Sequence, residues 1–416
     1  MQPKLYPRLT LALLTGLNIL NYIDRNVLFA VQPLVKDEFK ISDTQIGWLT
    51  SAFFFSYMLA APLVGWLGDR YPRKHIVALG IAVWSGFTLS TWLVHDYSQL
   101  LFRHTIVGIG EASYATIAPA LIADLFPLER RGRMLAVFTL GLPVGSAAGF
   151  LVGGYFGHHF GWRLPFMLAG APGFLLAVIL WFLPEPPRGR YDQFDTAAAP
   201  SSTFRLILTL LDNPAFWTAT LGLAMYTFAV GGLQVWMPTF LVRVRGLSLP
   251  TANAVFGAIA LFNGIVAVLL GGWMGDRLLK RYYGAYYTFS GIAMFVAVPF
   301  MVMAIYFSGR LMYPAIFLAV FFLLINTGPI NAAIVNSVNA QIRSTALAVN
   351  VFVIHLLGDA FSPSLIGAIS DRSSLPTAFN AAFVAAALSG VILIYGAKFA
   401  PRFKKTEPAA ASERGV

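Results

Sequence analysis

Twelve stretches of the chain are apolar for about 20 residues or more, and this pattern decides what it can fold into. A helix rises 1.5 Å per residue, so each run is long enough to cross a bilayer. In hydrocarbon every backbone N–H and C=O must be satisfied within the structure, which makes each run a helix. The runs are Leu9–Gln32, Thr44–Leu67, His75–Val94, Gln99–Phe126, Met134–Phe156 and Trp162–Leu183 in the first half. Pro214–Val242, Ala252–Met274, Ala285–Phe307, Leu311–Val338, Thr345–Ile369 and Thr377–Phe399 follow in the second. Of 416 residues 57% are hydrophobic and 11% charged, against about 25% charged in a soluble domain. Lipid is therefore the solvent. The absence of cysteine excludes disulfides and thiolate metal sites. The first run is too long and too polar for a signal peptide and lacks a small-residue cleavage site, so it reads as a retained span.

The one long break runs from Pro184 to Asn213 and is rich in Pro, Arg, Ala and Ser, a linker composition with a short surface helix expected near Thr203–Leu211. The division is thus 1–183, a six-helix bundle; 184–213, a cytoplasmic linker; 214–399, a second six-helix bundle; and 400–416, a basic, disordered cytoplasmic tail. Most of the 29 Lys and Arg residues fall in the segments on the side of the two termini. That asymmetry places both termini in the cytoplasm.

An internal repeat supports two parallel halves. Gly65-Trp66-Leu67-Gly68-Asp69-Arg70 ends span 2, and Gly272-Trp273-Met274-Gly275-Asp276-Arg277 ends span 8. Arg131–Ala136 opens span 5 as Arg343–Ala348 opens span 11, and Gly145 and Gly154 correspond to Gly358 and Gly367. The arrangement resembles the major facilitator superfamily: an all-α integral membrane fold of twelve transmembrane helices in two pseudo-symmetric six-helix bundles. Substrate then sits between the halves near the membrane midplane.

Span 1 carries Asn18, Asn21, Tyr22, Asp24 and Arg25. A charge at membrane depth costs at least about 2.5–3.5 kcal/mol, so it faces a partner or a wet cavity. Asn18, Asn21, Tyr22 and Arg25 share one broad helical face, while Asp24 is rotated away and needs a partner on another helix. Span 4 carries Arg103 and Glu111, slightly over two turns apart. Counting residues inward from the outer boundary puts Arg103 about 6 Å deep, Asp24 and Arg25 about 11 Å and Glu111 about 18 Å. A ladder of alternating charge is expected. Arg25 and Arg103 would hold an anionic substrate with Tyr22, Asn18 and Asn331. Protonating Glu111 or Asp24 would release a basic partner and couple transport to protons. The alternative is an ion-pair site that only fixes helix packing.

Gly65, Gly68, Asp69, Arg70, Arg73 and Lys74 form a Gly-x-x-Gly-Asp-Arg-x-x-Arg-Lys motif, with Asp276 and Arg277 in a degenerate second copy. It resembles the superfamily's loop 2–3 motif, which implies a conformational latch; Asp69 is expected to accept hydrogen bonds at a helix start. The small-residue face Gly141–Gly154 of span 5 suits close helix packing, and resembles the glycine/proline motif of antiporter-type members. His355 and Asp359, at i and i+4 on span 11, form a candidate proton relay or a packing pair. Asn326, Asn331, Asn336 and Asn339 make span 10 amide-rich, and Tyr226, Gln234 and Trp236 on span 7 are further candidates. No metal quartet, cofactor pattern, nucleophile–base arrangement or nucleic-acid-binding pattern is visible. A transporter is expected and a membrane-embedded lipid-modifying enzyme is the remote alternative.

Asn21–Arg25, Phe39–Asp43, Met58–Pro62, Gly110–Tyr114 through Ile122–Phe126, and His355–Pro363 are similar to the spinster family. That resemblance implies a transporter of sphingosine phosphate or lysophospholipids, in some members with protons, and roles for Asp24, Arg25, Arg103 and Glu111. The short tails and total length look bacterial, so a bacterial inner membrane is expected, and a monomer is expected. Its partners would be a small-molecule or lipid substrate, protons and the bilayer. A drug or small-anion exporter is the alternative within the class.

Overall fold

The computed structural model describes residues 5–188, 210–338 and 342–401, and every regular element among them is helical. The first half contains α1 (Leu5–Phe39), α2 (Asp43–Arg70), α3 (Arg73–Ser90), α4 (Tyr97–Leu125), α5 (Leu128–Thr139), α6 (Gly141–Phe160) and α7 (Arg163–Phe182). The second contains α8 (Pro214–Arg243), α9 (Leu249–Leu279), α10 (Ala285–Tyr306), α11 (Met312–Leu324), α12 (Thr327–Asn336), α13 (Arg343–Ile354), α14 (Ser362–Arg372) and α15 (Asn380–Gly396). Three expected spans are each broken in two: α5 and α6 meet at Leu140, α11 and α12 at Ile325–Asn326, and α13 and α14 at a π-turn over His355–Asp359. The expected linker helix lies, save its last two residues, outside the described residues, as do Asn339 and most of the tail.

Eleven of the described helices or helix pairs are long and apolar enough to cross a membrane. α1 is outside that set because its polar and charged residues lower its hydropathy, although its 35 residues are ample for a crossing. It also outruns its predicted end at Gln32, because Pro33 is accommodated inside the helix and Val35 beyond it is fully buried. Ser42 then caps α2: its hydroxyl accepts from Gln45 N at 3.1 Å, and Gln45 Oε1 accepts from Ser42 N at 2.9 Å. This reciprocal capping box fixes where the polar connection stops and the second helix starts.

Within the first half α1 packs along α6, while α4 packs on α2 and α3, and α7 on α3. In the second half α15 packs on α8 and α10, and α10 also on α11. The main packing between halves is α2 on α14, α6 on α9 and α1 on α8, with smaller contacts of α2 on the His355–Asp359 turn and α1 on α9. The glycine face of α6 makes its packing along α1 possible. A Cβ at Gly149 would lie 2.7 Å from Ile23 O and 2.8 Å from Asn26 Cβ. Only a residue without a side chain lets the two backbones approach this closely. This brings α1, with its buried charges, against the seam between the halves.

Candidate functional site

Arg25 is carried by α1, which packs on α8 of the second half. Its Nε donates to Glu111 Oε2 at 2.6 Å, with the Glu111 side chain fully buried and that of Arg25 14% exposed. Four rings surround the guanidinium: its Cζ lies 4.9 Å from the centroid of Phe53, 5.2 Å from Tyr57, 5.4 Å from Tyr22 and 5.9 Å from Phe54. The negative faces of such rings complement a cation that has left water. α2 supplies three of these rings because Phe53, Phe54 and Tyr57 fall within little more than one turn. Glu111 Oε1 is buried without a hydrogen-bond partner. Asn21 lies beside the same carboxylate, yet its Nδ2 makes no hydrogen bond of ordinary geometry.

Asp24 points the other way, as its 100° rotation from Arg25 requires. It is buried, and its Oδ2 accepts from Thr88 Oγ1 on α3 at 2.7 Å. The partner on another helix is thus a hydroxyl and not a cation. A small cavity is bordered by Asp24, Arg25, Phe53, Phe54, His104 and Glu111.

The second half reaches this cluster through His355. Its ring stacks on Phe54 (5.8 Å, 20°) and meets Tyr57 edge-on (5.7 Å, 69°), two of the rings around Arg25. His355 Nδ1 lies 2.9 Å from Asp359 Oδ1 and 3.1 Å from Oδ2. The expected i,i+4 pair forms within a π-turn, where Ala360 N donates to His355 O and Gly358 departs from helical geometry. Such turns widen a helix locally and re-aim side chains. Asp359 borders a second cavity with Tyr226, Gly231, Gln234 and Phe54. Phe54 thus stands between the two cavities, and one row of contacts runs Glu111, Arg25, Tyr57 and Phe54, His355, Asp359.

Three sequence candidates are not in this cluster. Arg103 donates to Ser90 O at the end of α3, so the expected ladder lacks its outer rung. The cause is helical phase: eight residues put Arg103 about 80° off the direction of Glu111, whereas seven put His104 within about 20° of it. Asn18 donates from Nδ2 to Phe138 O at 2.8 Å and buttresses the α5–α6 break. Asn331 is exposed and bonds back to Thr327 O on its own helix at 2.8 Å. Asn326 and Trp236 are likewise spent on packing, against Met294 Sδ and Pro363 O. Tyr226 bonds Thr327 Oγ1 at 3.0 Å, and Gln234 bridges the halves to Asn26 at 3.0 Å. His104 is the residue that sequence reasoning passed over, although its spacing from Glu111 could have found it.

At the loop 2–3 motif Asp69 lies in the last turn of α2, not at the start of α3, where Arg73 N donates to Glu185 Oε1 at 2.8 Å. The motif's arginine finds its acceptor elsewhere: Arg73 Nη1 lies 2.5 Å from Asp124 Oδ2 at the end of α4. Lys74 Nζ donates to Leu183 O at 2.9 Å, and Arg70 stacks on Trp66 at 4.0 Å. In the second copy Asp276 accepts from Tyr286 OH at 2.7 Å, and Arg277 stacks on Trp273 at 5.6 Å.

Residues 14–363 match the Major Facilitator Superfamily. Protein spinster homolog 1 of Xenopus laevis is 36% identical over 375 residues, covering 86% of this chain and 71% of that protein. The Homo sapiens protein of the same name is 36% identical over 387 residues, covering 88% and 73%. A crystal structure of a bacterial homologue of the human lysosomal transporter spinster, inward-facing and unoccupied, superposes with a TM-score of 0.82 at 25% identity, covering 95% of this chain and 96% of that one. A D-xylose–proton symporter shares the fold, with a TM-score of 0.69 at 16% identity. Helices crossing a membrane in two like halves, with buried charge at their seam, define a multi-pass transporter of the major facilitator superfamily and not an enzyme. Within that superfamily the chain belongs to the spinster family.

Proposed function

We propose that this chain is a proton-linked secondary transporter that works by alternating access and carries an amphipathic, anionic, lipid-like substrate. One observation carries the reading: Arg25 is paired to Glu111 inside a ring cage, and two of those rings also contact His355 of the opposite half. Breaking a buried pair by losing one charge leaves the other uncompensated, at about 3–5 kcal/mol. Protonation of Glu111 therefore has to be matched by a new anion on Arg25, which links cargo to proton. Asp24 exchanges a proton on the far side of the same cavity. The His355–Asp359 pair answers from the second half, because any move of Phe54 or Tyr57 changes its contacts. The two cavities would seat a polar head, with the apolar chain leaving between the halves.

The halves 1–183 and 214–399 would rock about this site, joined by 184–213. Basic residues put the termini and the loop 2–3 motif on the cytoplasmic side of a bacterial inner membrane. In that orientation the end at the α1–α2 turn, where Arg243 of the second half pairs with Asp43 of the first at 2.7 Å, would be a closed outer end and the conformation inward-facing. The motif would then serve as a latch through Arg73 and Asp124.

The test is uptake by proteoliposomes under an imposed pH gradient, with lysophospholipids and hydrophilic organic anions as tracers. Glu111→Gln and Arg25→Lys are each expected to lower gradient-driven uptake at least tenfold, about 1.4 kcal/mol, while the protein stays monodisperse. Full transport in both variants would refute these roles. The Arg25 guanidinium would equally pair with a small organic anion, and preferential uptake of the hydrophilic tracers would favour an exporter of that class.

A further inference from the structure

His104 has no part in the mechanism above, yet it borders the same cavity as Asp24, Arg25 and Glu111. It is 8% exposed, and its ring nitrogens make no hydrogen bond among the described residues. A histidine that only packs in a helical core normally uses its ring N–H, because an unpaired buried donor costs about 1–3 kcal/mol. The apolar side of the ring is accounted for by Phe166 on α7, edge-on at 6.2 Å and 87°. The ring also lines the cavity shared with Asp24, Arg25 and Glu111.

The surroundings restrict what those atoms can meet. α1 presents Asp24 and Arg25, and α4 itself presents Glu111 two turns further in. α2 presents Thr50, Phe53 and Phe54, none of which titrates in the working range. α3 contributes Thr88, already donating to Asp24. α7 contributes Phe166, while Arg163 at its start is engaged by Glu38 at 2.7 Å. Two carboxyl groups and one guanidinium are therefore the charged groups on this cavity. A second cation above Asp24 would balance the carboxylate that Arg25 leaves unpaired.

We propose that His104 gains and loses a proton during the transport cycle, in exchange with Asp24 and Glu111 across the shared cavity, and so sets the pH range of transport. The step moves one proton: a carboxyl oxygen gives it up and a ring nitrogen takes it, leaving imidazolium beside carboxylate. The proposal rests on the proton-linked reading and deepens it. His104 lies toward the closed end relative to Glu111, so it is the group of this set first met from that end.

The experiment is a pH profile of lysophospholipid uptake by the full chain in proteoliposomes, for the natural protein and for His104→Gln. The expected result is a pH-dependent natural profile whose midpoint in the variant moves by about one pH unit or vanishes. A purely packing role would lower the rate by the same factor at every pH, and a parallel profile overturns the proposal. A flat profile in the natural protein would instead overturn the proton-linked reading itself. A second measurement uses the unaltered protein, in case the variant fails to fold. Diethyl pyrocarbonate acylates neutral imidazole and spares imidazolium, and peptide mass spectrometry reads the rate at His104 against pH. The acylation midpoint should coincide with that of transport, with the exposed His158 and His159 as internal references. A His104 rate without a midpoint between pH 5 and 8, or one displaced from that of transport by about a unit or more, overturns the assignment.

Discussion

The two ends of the molecule are held by different kinds of contact. At the end formed by the α1–α2 turn, polar contacts run between halves. Asp43 of the first half is paired with Arg243 of the second at 2.7 Å, accepts from Ser370 at 2.6 Å and pairs with Lys36 of its own half. Asp371 of the second half accepts from Asp43 N and Thr44 N at 2.8 Å each and from Thr44 Oγ1 at 2.6 Å. It caps a helix it does not belong to, where the partial positive charge of the helix start favours a carboxylate. At the loop 2–3 end the bonds described run inside one half. Arg73 reaches Asp124, and Arg188 donates to Gly68 O at 2.9 Å and Tyr71 O at 2.7 Å. Contacts between halves must break when the molecule opens at that end; contacts within a half can persist through the cycle. The first set therefore sets the balance of conformations and the second the rigidity of a moving part.

The comparison breaks most readily at the glycines. A Cβ at Gly47 would fall on the Pro363 carbonyl, and one at Gly367 on the Asp43 carbonyl. Gly47→Val should destabilise the closed end by about 1–3 kcal/mol, a shift of roughly 5–150-fold toward opening there. The natural chain has no cysteine, so Val235→Cys, buried and bordering the second cavity, reports opening by maleimide labelling from that side. Labelling no faster in Gly47→Val than in its parent would show that the α2–α14 packing does not hold this end. Asp371→Ala comes next. It removes three bonds at the start of α2, where losing a cap costs about 1 kcal/mol, and labelling should rise about fivefold. Arg188→Ala removes a comparable number of bonds at the other end. It should leave labelling at Val235→Cys unchanged while lowering the melting temperature slightly, and an equal rise in labelling would erase the distinction between the ends.

What the sequence made legible follows from what each feature depends on. Helix positions depend on hydropathy, which is local, so the twelve runs and their halves could be read. The halves' likeness was visible because Gly65–Arg70 and Gly272–Arg277 keep their spacing. The identity of the charged centre was also legible, since Asp24, Arg25 and Glu111 have few tolerable places in a membrane. Pairing was less so. Whether Arg25 or Arg103 meets Glu111 turns on helical phase, which separates Arg103 from His104 by a single residue. The Asp371 cap, the row from Arg25 through Phe54 to His355, and Arg73 on Asp124 join segments far apart in the chain, and no local pattern announces them. The breaks at Leu140 and Ile325 were hidden because hydropathy stays high across a break as across a helix.

The Glu38–Arg163 contact separates location from connectivity, with the smallest expected effect. It lies at the closed end, between the last turn of α1 and the first of α7, yet both partners belong to the first half. Arg163 Nη2 is 2.7 Å from Glu38 Oε1, and Trp162 Nε1 donates to Oε2 at 2.7 Å. Hydrogen bonding from Arg163, with that from Trp162, holds the Glu38 carboxyl below its ordinary range despite partial burial. A carboxyl with a depressed folded-state pKa contributes stability that is full above its unfolded value, about 4.3, and is lost as pH falls through the folded value. The melting temperature should therefore decline below about pH 4, and part of that decline should be missing in Glu38→Gln. Side chains this exposed contribute less than about 1 kcal/mol. If connectivity and not position governs, Glu38→Gln leaves the labelling rate at Val235→Cys unchanged at neutral pH. A rise like that of Asp371→Ala would mean that any loosening at this end opens it, whichever half the bond belongs to.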